Sequence, residues 1–197
     1  MLETLKTIDE KAFLFLNAHH SAFFDQVMWL LSDKFFWVPL YLWFLWILYK
    51  QYPRHYWTVI LSVILLIVIS DQLCNLSKES FMRFRPSQDP RIGAMAHIVR
   101  GYRGGMYGFY SGHSSNAFAV AIFIITVASR NRKYVIPVAL LYAILTAYSR
   151  VYLGVHYPGD ILTGAIIGAL LGLGIACAHG KLRERYLTPL HIPDSHL

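Results

Sequence analysis

Charge is scarce in this chain. Of its 197 residues only 15% are Asp, Glu, Lys or Arg, against about 25% in an ordinary soluble domain, and the deficit argues against a water-soluble globule built round one core. Cysteine is nearly absent: Cys74 and Cys177 each lie inside an apolar stretch, which excludes a disulfide framework and a cysteine-based zinc site. The start, MLETLKTIDEKAF, lacks the basic opening, apolar stretch and small-residue cleavage site of a signal peptide, so membrane insertion is expected to rest on retained segments. Internal repeats and low-complexity tracts are missing as well.

Apolar surface is what the chain has in excess. Hydrophobic residues make up 56% and aromatic residues 15%, with mean hydropathy +0.43. Five runs contain no Asp, Glu, Lys or Arg: 35–49, 55–70, 104–129, 134–149 and 161–180. All five read as membrane helices. The first, second and fourth fall short of the roughly 20 residues that a straight span needs. Trp37, Tyr49, Lys50, Tyr56, Trp57, Tyr134, Tyr148 and Arg150 at their ends can complete them by sitting in the interface. Residues 10–32 mix charge and histidine with Phe, Leu and Trp, the pattern of an amphipathic helix or helix pair in the interface, with a sixth span as the alternative. The expected fold is therefore all-α, a polytopic membrane helix bundle of five to six transmembrane helices with an N-terminal amphipathic segment. Residues 1–34 form that segment, 35–180 the transmembrane domain, and 181–197 a polar, cytoplasmic tail.

The formal net charge is +7, from 18 Lys and Arg against 11 Asp and Glu. In so apolar a chain the surplus points to anionic lipid or an anionic substrate, and no nucleic-acid partner is expected. If the runs alternate across the membrane, one side holds Lys50, Arg54, Arg130, Arg132, Lys133, Lys181, Arg183 and Arg185. The other holds Lys78, Arg83, Arg85, Arg91, Arg100, Arg103 and Arg150, plus Lys6, Lys11 and Lys34 if the amphipathic start lies there. The positive-inside rule decides nothing on these numbers unless the second set has another task.

Three short blocks on that second side indicate such a task. Lys78 and Arg85 are seven residues apart ahead of Pro86; on one helix they share a face about 10 Å apart, and Pro86 is expected to end the element. Two cations at a helix end suit a phosphate, or serve as anchors to lipid headgroups. Ser111-Gly112-His113 opens the third run. Small residues and free N–H groups at a helix start can cradle an anion, with His113 as a general acid, or Ser111 is an ordinary cap. In the third block, Ser149 and Arg150 precede His156, Pro158 and Asp160. Pro158 favours a first helical turn, and a carboxylate there can orient His156 as nucleophile or base, or only complement the helix dipole.

Taken together, a Lys, six residues, then Arg-Pro; a Ser-Gly-His; and Ser-Arg, five residues, His, three residues, Asp resemble the type 2 phosphatidic acid phosphatase (PAP2) family, the acid phosphatase and vanadium haloperoxidase superfamily. The resemblance runs from about Asp71 to Gly180 and departs at Tyr110, where many members have Pro. It implies a nucleophile at His156 forming a phosphohistidine, an orienting Asp160, and a general acid at His113. It further implies that Lys78, Arg85, Ser111, the Gly112 N–H and Arg150 bind phosphate. Three cations would neutralise the phosphoryl oxygens, so neither a metal nor a cofactor is expected.

The implied protein is a phosphatase of the bacterial inner membrane, its site facing the periplasm, taking a lipid phosphate that enters from the bilayer. Undecaprenyl diphosphate and lipid A fit the basic, glycine-rich loop best; phosphatidylglycerol phosphate and phosphatidic acid are alternatives, and an anion or lipid transporter is the alternative of another class. Arg83, Arg91, Arg100 and Arg103 either grip a large headgroup or coat an anionic surface. Asp71 is either functional or a packing contact. Gly164, Gly168 and Gly172 suggest a close helix-packing ridge.

Overall fold

Helix starts follow the expected signals. Ser21 accepts a hydrogen bond from the Phe24 N–H and Ser111 one from the Ser114 N–H, while Pro158 occupies the first turn of its helix. In the computed structural model, which describes residues 2–128 and 132–186, seven α-helices and no β-strand occur among the described residues. They are α1 (Leu2–Asn17), α2 (Ala22–Ser32), α3 (Val38–Gln51), α4 (Tyr56–Phe81), α5 (Gly112–Val127), α6 (Arg132–Tyr152) and α7 (Pro158–Tyr186).

Two boundaries differ from expectation. Helix α4 runs on through Asp71 and Lys78 and stops at Phe81, where Met82 adopts a left-handed conformation at φ 44°. Arg83 to Arg85 is then non-helical, paired to the glycine-rich loop by Arg85 N–H to Met106 O (3.1 Å) and Gly108 N–H to Arg83 O (2.9 Å). Lys78 and Arg85 therefore do not share a helix face, because the turn comes four residues before Pro86. Helix α5 begins at Gly112 rather than residue 104. The intervening stretch has Gly104, Gly105 and Gly108 and gives its backbone groups to that pairing, so a lack of charge there does not mean helix.

Helix α5 is the axis of the bundle, with α4, α6 and α7 against it. It lies close to α7 because that helix presents Gly164, Gly168 and Gly172, where a Cβ would press on the backbone at Ser111, Ser115 and Ala119. Helices α4, α6 and α7 are long and apolar enough to cross a membrane, and α5 is a shorter apolar helix. Only 22% of the most apolar window of α4 is buried. Its outward residues Leu61, Ile64, Leu65 and Val68 form a stripe at helical spacing, an arrangement suited to hydrocarbon and unsuited to water.

The N-terminal segment is a helix pair docked on the loops at one end of the bundle. Phe13 is buried with Ile92, Val151 and Tyr157, and Met28 with Val99, Leu153 and Val155. Buried Asn17 donates to the carbonyls of His97, Val151 and Tyr152 and accepts from the His97 N–H. Of the expected tail, residues 181–186 continue α7 and the rest lies outside the described residues.

Candidate active site

Three segments meet at the bundle end covered by α1 and α2: the end of α4 with the Arg83–Arg85 stretch, the start of α5, and the turn from α6 to α7. That turn is built locally. Gly154, at φ +78°, reverses the chain, and the N–H groups of Val155 and His156 both bond the Arg150 carbonyl (3.1 and 3.2 Å). Asp160, in the first turn of α7, then accepts the Tyr157 N–H at 3.0 Å on Oδ2. The same oxygen lies 3.3 Å from His156 Nδ1.

The other ring nitrogen, Nε2, lies 3.0 Å from Arg85 Nη1. A guanidinium only donates, so Nε2 accepts and the ring proton belongs on Nδ1, directed at Asp160. His156 is 1% exposed. Burial, reinforced by the cations of Arg85, Arg150 and Lys78, holds its pKa well below 6.5. The ring is neutral, with its Nε2 lone pair turned to the cations.

Asp160 is itself held. Arg83 donates from Nη1 to Asp160 Oδ1 (2.8 Å) and from Nη2 to Asp9 Oδ2 (2.6 Å), and Asp9 Oδ1 accepts the Gly159 N–H (2.7 Å). The Arg83 guanidinium also sits 4.1 Å over the Tyr157 ring. Burial works against the charge on Arg83, but the Asp160 and Asp9 carboxylates outweigh it and raise the pKa. Arg85 is fixed by donating to the carbonyls of Tyr107 (3.1 Å) and Val155 (3.3 Å). Buried Arg150 donates to the Ser32 hydroxyl and lies 5.6 Å over the Tyr102 ring, and its Nε has no partner.

Lys78, Arg85, Gly112, His113, Arg150 and His156 all line one cavity of about 660 Å³. It continues between α3, α4, α5 and α6 past Trp37, Phe44, Leu45, Ile67 and Ile124, so a cationic end runs into an apolar groove. Asp160 stands behind His156 and Ser111 does not reach the cavity. Ser111 is fully buried, its hydroxyl caps α5, and its N–H donates to the Asp160 carbonyl at 3.1 Å. A Cβ on Gly112 would lie 3.0 Å from Cys74 Sγ and 4.0 Å from Lys78 Nζ, so the missing side chain lets Lys78 approach the start of α5. Among the described residues no group of three or more His, Cys, Asp or Glu could hold a metal ion.

The flanking arginines are engaged within the chain. Besides Arg83, Arg91 pairs with Glu10 (2.5 Å) and Asp89 (3.2 Å). Arg100 donates to Gln26 (2.5 Å) and stacks on Trp29, and Arg103 donates to the Ser87 carbonyl (2.5 Å). The glycines of the loop pack against the site: a Cβ on Gly104 would come 3.1 Å from the Arg85 guanidinium, and one on Gly108 would come 3.3 Å from Asp160 Oδ2. Sequence reasoning missed Asp9, Ser32 and the part played by Arg83. The partners of the arginines lie 74 and 118 positions away along the chain, and no local pattern marks them.

The family model described as the PAP2 superfamily matches residues 55–184. The chain is similar to a lipid A 4'-phosphatase of Bacteroides thetaiotaomicron, 38% identical over 98% of this chain and 86% of the relative. It is also similar to a lipid A 4'-phosphatase of Porphyromonas gingivalis, 35% identical over 94% of this chain and 79% of that one. Its fold matches the crystal structure of a transmembrane PAP2 type phosphatidylglycerolphosphate phosphatase from Bacillus subtilis with TM-score 0.72 and 25% identity, over 93% of this chain and 89% of that structure.

Proposed function

The chain belongs to the PAP2 superfamily and is a membrane lipid phosphatase; on that premise we propose that it removes phosphate from lipid A, through a phosphohistidine on His156. One observation carries the chemistry: a buried, neutral His156 held from behind by Asp160, with Nε2 facing Arg85 at the cationic end of a cavity that continues into an apolar groove. The substrate follows the two relatives named lipid A 4'-phosphatase, which this chain matches over most of their length.

The phosphoryl group enters between Arg85, Arg150, Lys78 and the Gly112 N–H, which meet its oxygens and the charge that spreads over them as the bond to the leaving oxygen loosens. His156 Nε2 attacks phosphorus, and the leaving sugar oxygen takes a proton from His113. Asp160 stabilises the cationic ring that forms. His113 then takes a proton from water, whose oxygen attacks the phosphohistidine. Inorganic phosphate leaves and His156 returns to its neutral form. Side chains supply the positive charge throughout, and the apolar groove takes the hydrocarbon of a substrate entering from the bilayer.

The site faces the periplasm of the bacterial inner membrane in this reading. Three cations of that end serve phosphate, and Arg83, Arg91, Arg100 and Arg103 are committed to contacts within the chain. Lys50, Arg54, Arg132 and Lys133 at the other end then favour the cytoplasm. A thiol reagent that cannot cross the membrane is expected to label Met95→Cys, at an exposed position of the same end, but not Asn131→Cys in intact cells; the reverse pattern would reject the orientation.

The central test is phosphate release by the detergent-purified protein, in the presence of a chelator, from lipid A, undecaprenyl diphosphate and phosphatidylglycerol phosphate. Lipid A is expected to be the preferred substrate, with inhibition by orthovanadate. His156→Ala is expected to lose a thousandfold or more, on the order seen when a nucleophile is removed. Wild-type rates in that variant would refute the nucleophile, and preference for another lipid would refute the substrate.

A further inference from the structure

One helical turn below the phosphate-binding side chains, the cavity carries a second set of polar groups that the phosphoryl chemistry does not use. Thr146 lies four residues before Arg150 on α6, Asn116 three residues after His113 on α5, and Asn75 and Asp71 three and seven residues before Lys78 on α4. All four line the cavity. At 1.5 Å per residue they stand about 5 to 10 Å deeper than the cationic end. Asp71 accepts a hydrogen bond from Asn116 Nδ2 at 2.8 Å, which holds the amide with its oxygen free. That oxygen, Asn116 Oδ1, is buried without a partner, as is the hydroxyl of Thr146, a residue only 6% exposed.

A buried, unpaired hydroxyl and carbonyl on two different helices are costly unless something bonds them. An interior threonine commonly bonds a carbonyl of the preceding turn, and Thr146 does not. Below these groups the lining turns mainly apolar, with Phe44, Leu45, Val63, Ile67, Val120 and Ile124, and the Tyr41 and Tyr142 hydroxyls there bond each other. The order along the cavity is therefore cations, hydrogen-bonding groups, hydrocarbon.

We propose that Thr146, Asn116, Asn75 and Asp71 form a binding subsite for the hydroxyl and amide groups of an acylated amino sugar carrying the scissile phosphate, and that this subsite sets the preference for such lipids over polyprenyl phosphates. It rests on the reading of the cavity as a lipid phosphatase site. The order of chemistries along the cavity repeats that of the substrate, from phosphate through a polar sugar with amide-linked chains to hydrocarbon. A polyprenyl or alkyl phosphate passes directly from phosphate to hydrocarbon and leaves the Thr146 hydroxyl and the Asn116 carbonyl unpaired. Sites with buried polar groups reject analogues that cannot bond them more strongly than apolar pockets reject a missing methylene.

The experiment compares kcat/KM for lipid A with kcat/KM for dodecyl phosphate in the wild type, Thr146→Val and Asn116→Ala. Thr146→Val keeps shape and removes a hydroxyl that has no partner in the protein, so folding is preserved. The ratio of the two values is expected to fall fivefold or more in each variant, whatever the absolute rates; a smaller fall overturns the subsite. A wild-type measurement needs no variant: the acylated disaccharide without phosphate is expected to inhibit dodecyl phosphate hydrolysis at a tenfold lower concentration than undecaprenol, and equal potency overturns the proposal. The failures are separable. A wild type inactive on both phosphates defeats the phosphatase reading and this proposal with it. A wild type that prefers dodecyl phosphate defeats the choice of substrate and the subsite, but not the phosphatase. A wild type that prefers lipid A, with variants that keep the ratio, defeats the subsite alone.

Discussion

The two long walls of the cavity are built differently. On one, α5 is backed by α7, which it meets backbone to backbone across Gly164, Gly168 and Gly172, and the turn leading into α7 ties His156, Asp160, Arg83 and Asp9 into one hydrogen-bonded chain. On the other, α3 turns Leu42 and Trp46 outward at 61% and 56% exposure. It is pinned by the Tyr41–Tyr142 hydroxyl pair (3.0 Å) and, at its far end, by Gln51 and Tyr52 on the Val127 carbonyl. His156 and Asp160, to which the proposed chemistry falls, sit on the close-packed wall, where a displacement of an ångström would matter. Along the looser wall only hydrocarbon contact is needed, which is nondirectional and tolerates displacement.

Breaking the tight wall has the largest expected effect. Gly168→Leu places a side chain where the Ser115 carbonyl already is and is expected to cost about 3 kcal/mol or more, read as a lower unfolding temperature in detergent. A variant as stable as wild type would mean that the seam is not close-packed. Next comes the chain behind the histidine. Arg83→Gln leaves Asp160 without its ion pair and is expected to lower kcat about ten- to hundredfold through misorientation of His156, with KM little changed. A change confined to KM would place Arg83 on the substrate instead.

The same burial predicts a pH response. With its pKa held well below 6.5, His156 stays neutral as the pH falls through 6.5, while the imidazole of the unfolded chain takes up a proton. The unfolded state then binds more protons, so stability from this group is full above 6.5 and declines as the pH drops beneath it. Nitrogen-15 spectra of the ring are the check; a His156 that titrates at 6.5 or higher would contradict the buried, cation-flanked site. The smallest effect belongs to the loose wall. Leu45→Ala is expected to cost less than about 1 kcal/mol while changing relative rates on lipids of different chain length severalfold. A loss as large as that of Gly168→Leu would erase the contrast between the walls.

Much of this architecture is legible in the chain. Runs without charge locate α3, α4, α6 and α7, because a hydrocarbon solvent rejects ionised side chains at every turn. They misplace the ends of α4 and α5, because a helix with a cavity on one face tolerates Asp71 and Lys78, whereas glycines 104, 105 and 108 prefer to pair their backbone elsewhere. His156 and Asp160 are readable as a pair since four residues on one turn impose their proximity. Arg83 stood in plain view between Lys78 and Arg85, yet its neighbours carry the same charge, and nothing local tells an arginine that grips a carboxylate from one that meets a headgroup.

Composition and short-range spacing thus determined the solvent of this protein, its helical class and its resemblance to the PAP2 family, since each is a property of neighbours within a turn or two. Only the tertiary structure decided that Asp9 reaches Arg83 and Gly159, that Ser32 meets Arg150, and that Arg85 arrives from an extended segment. It also placed Thr146 and Asn116 in the same cavity as Lys78, Arg85 and Arg150. Those contacts join residues far apart in sequence, and their energy depends on distance and burial, which exist only once the helices have packed.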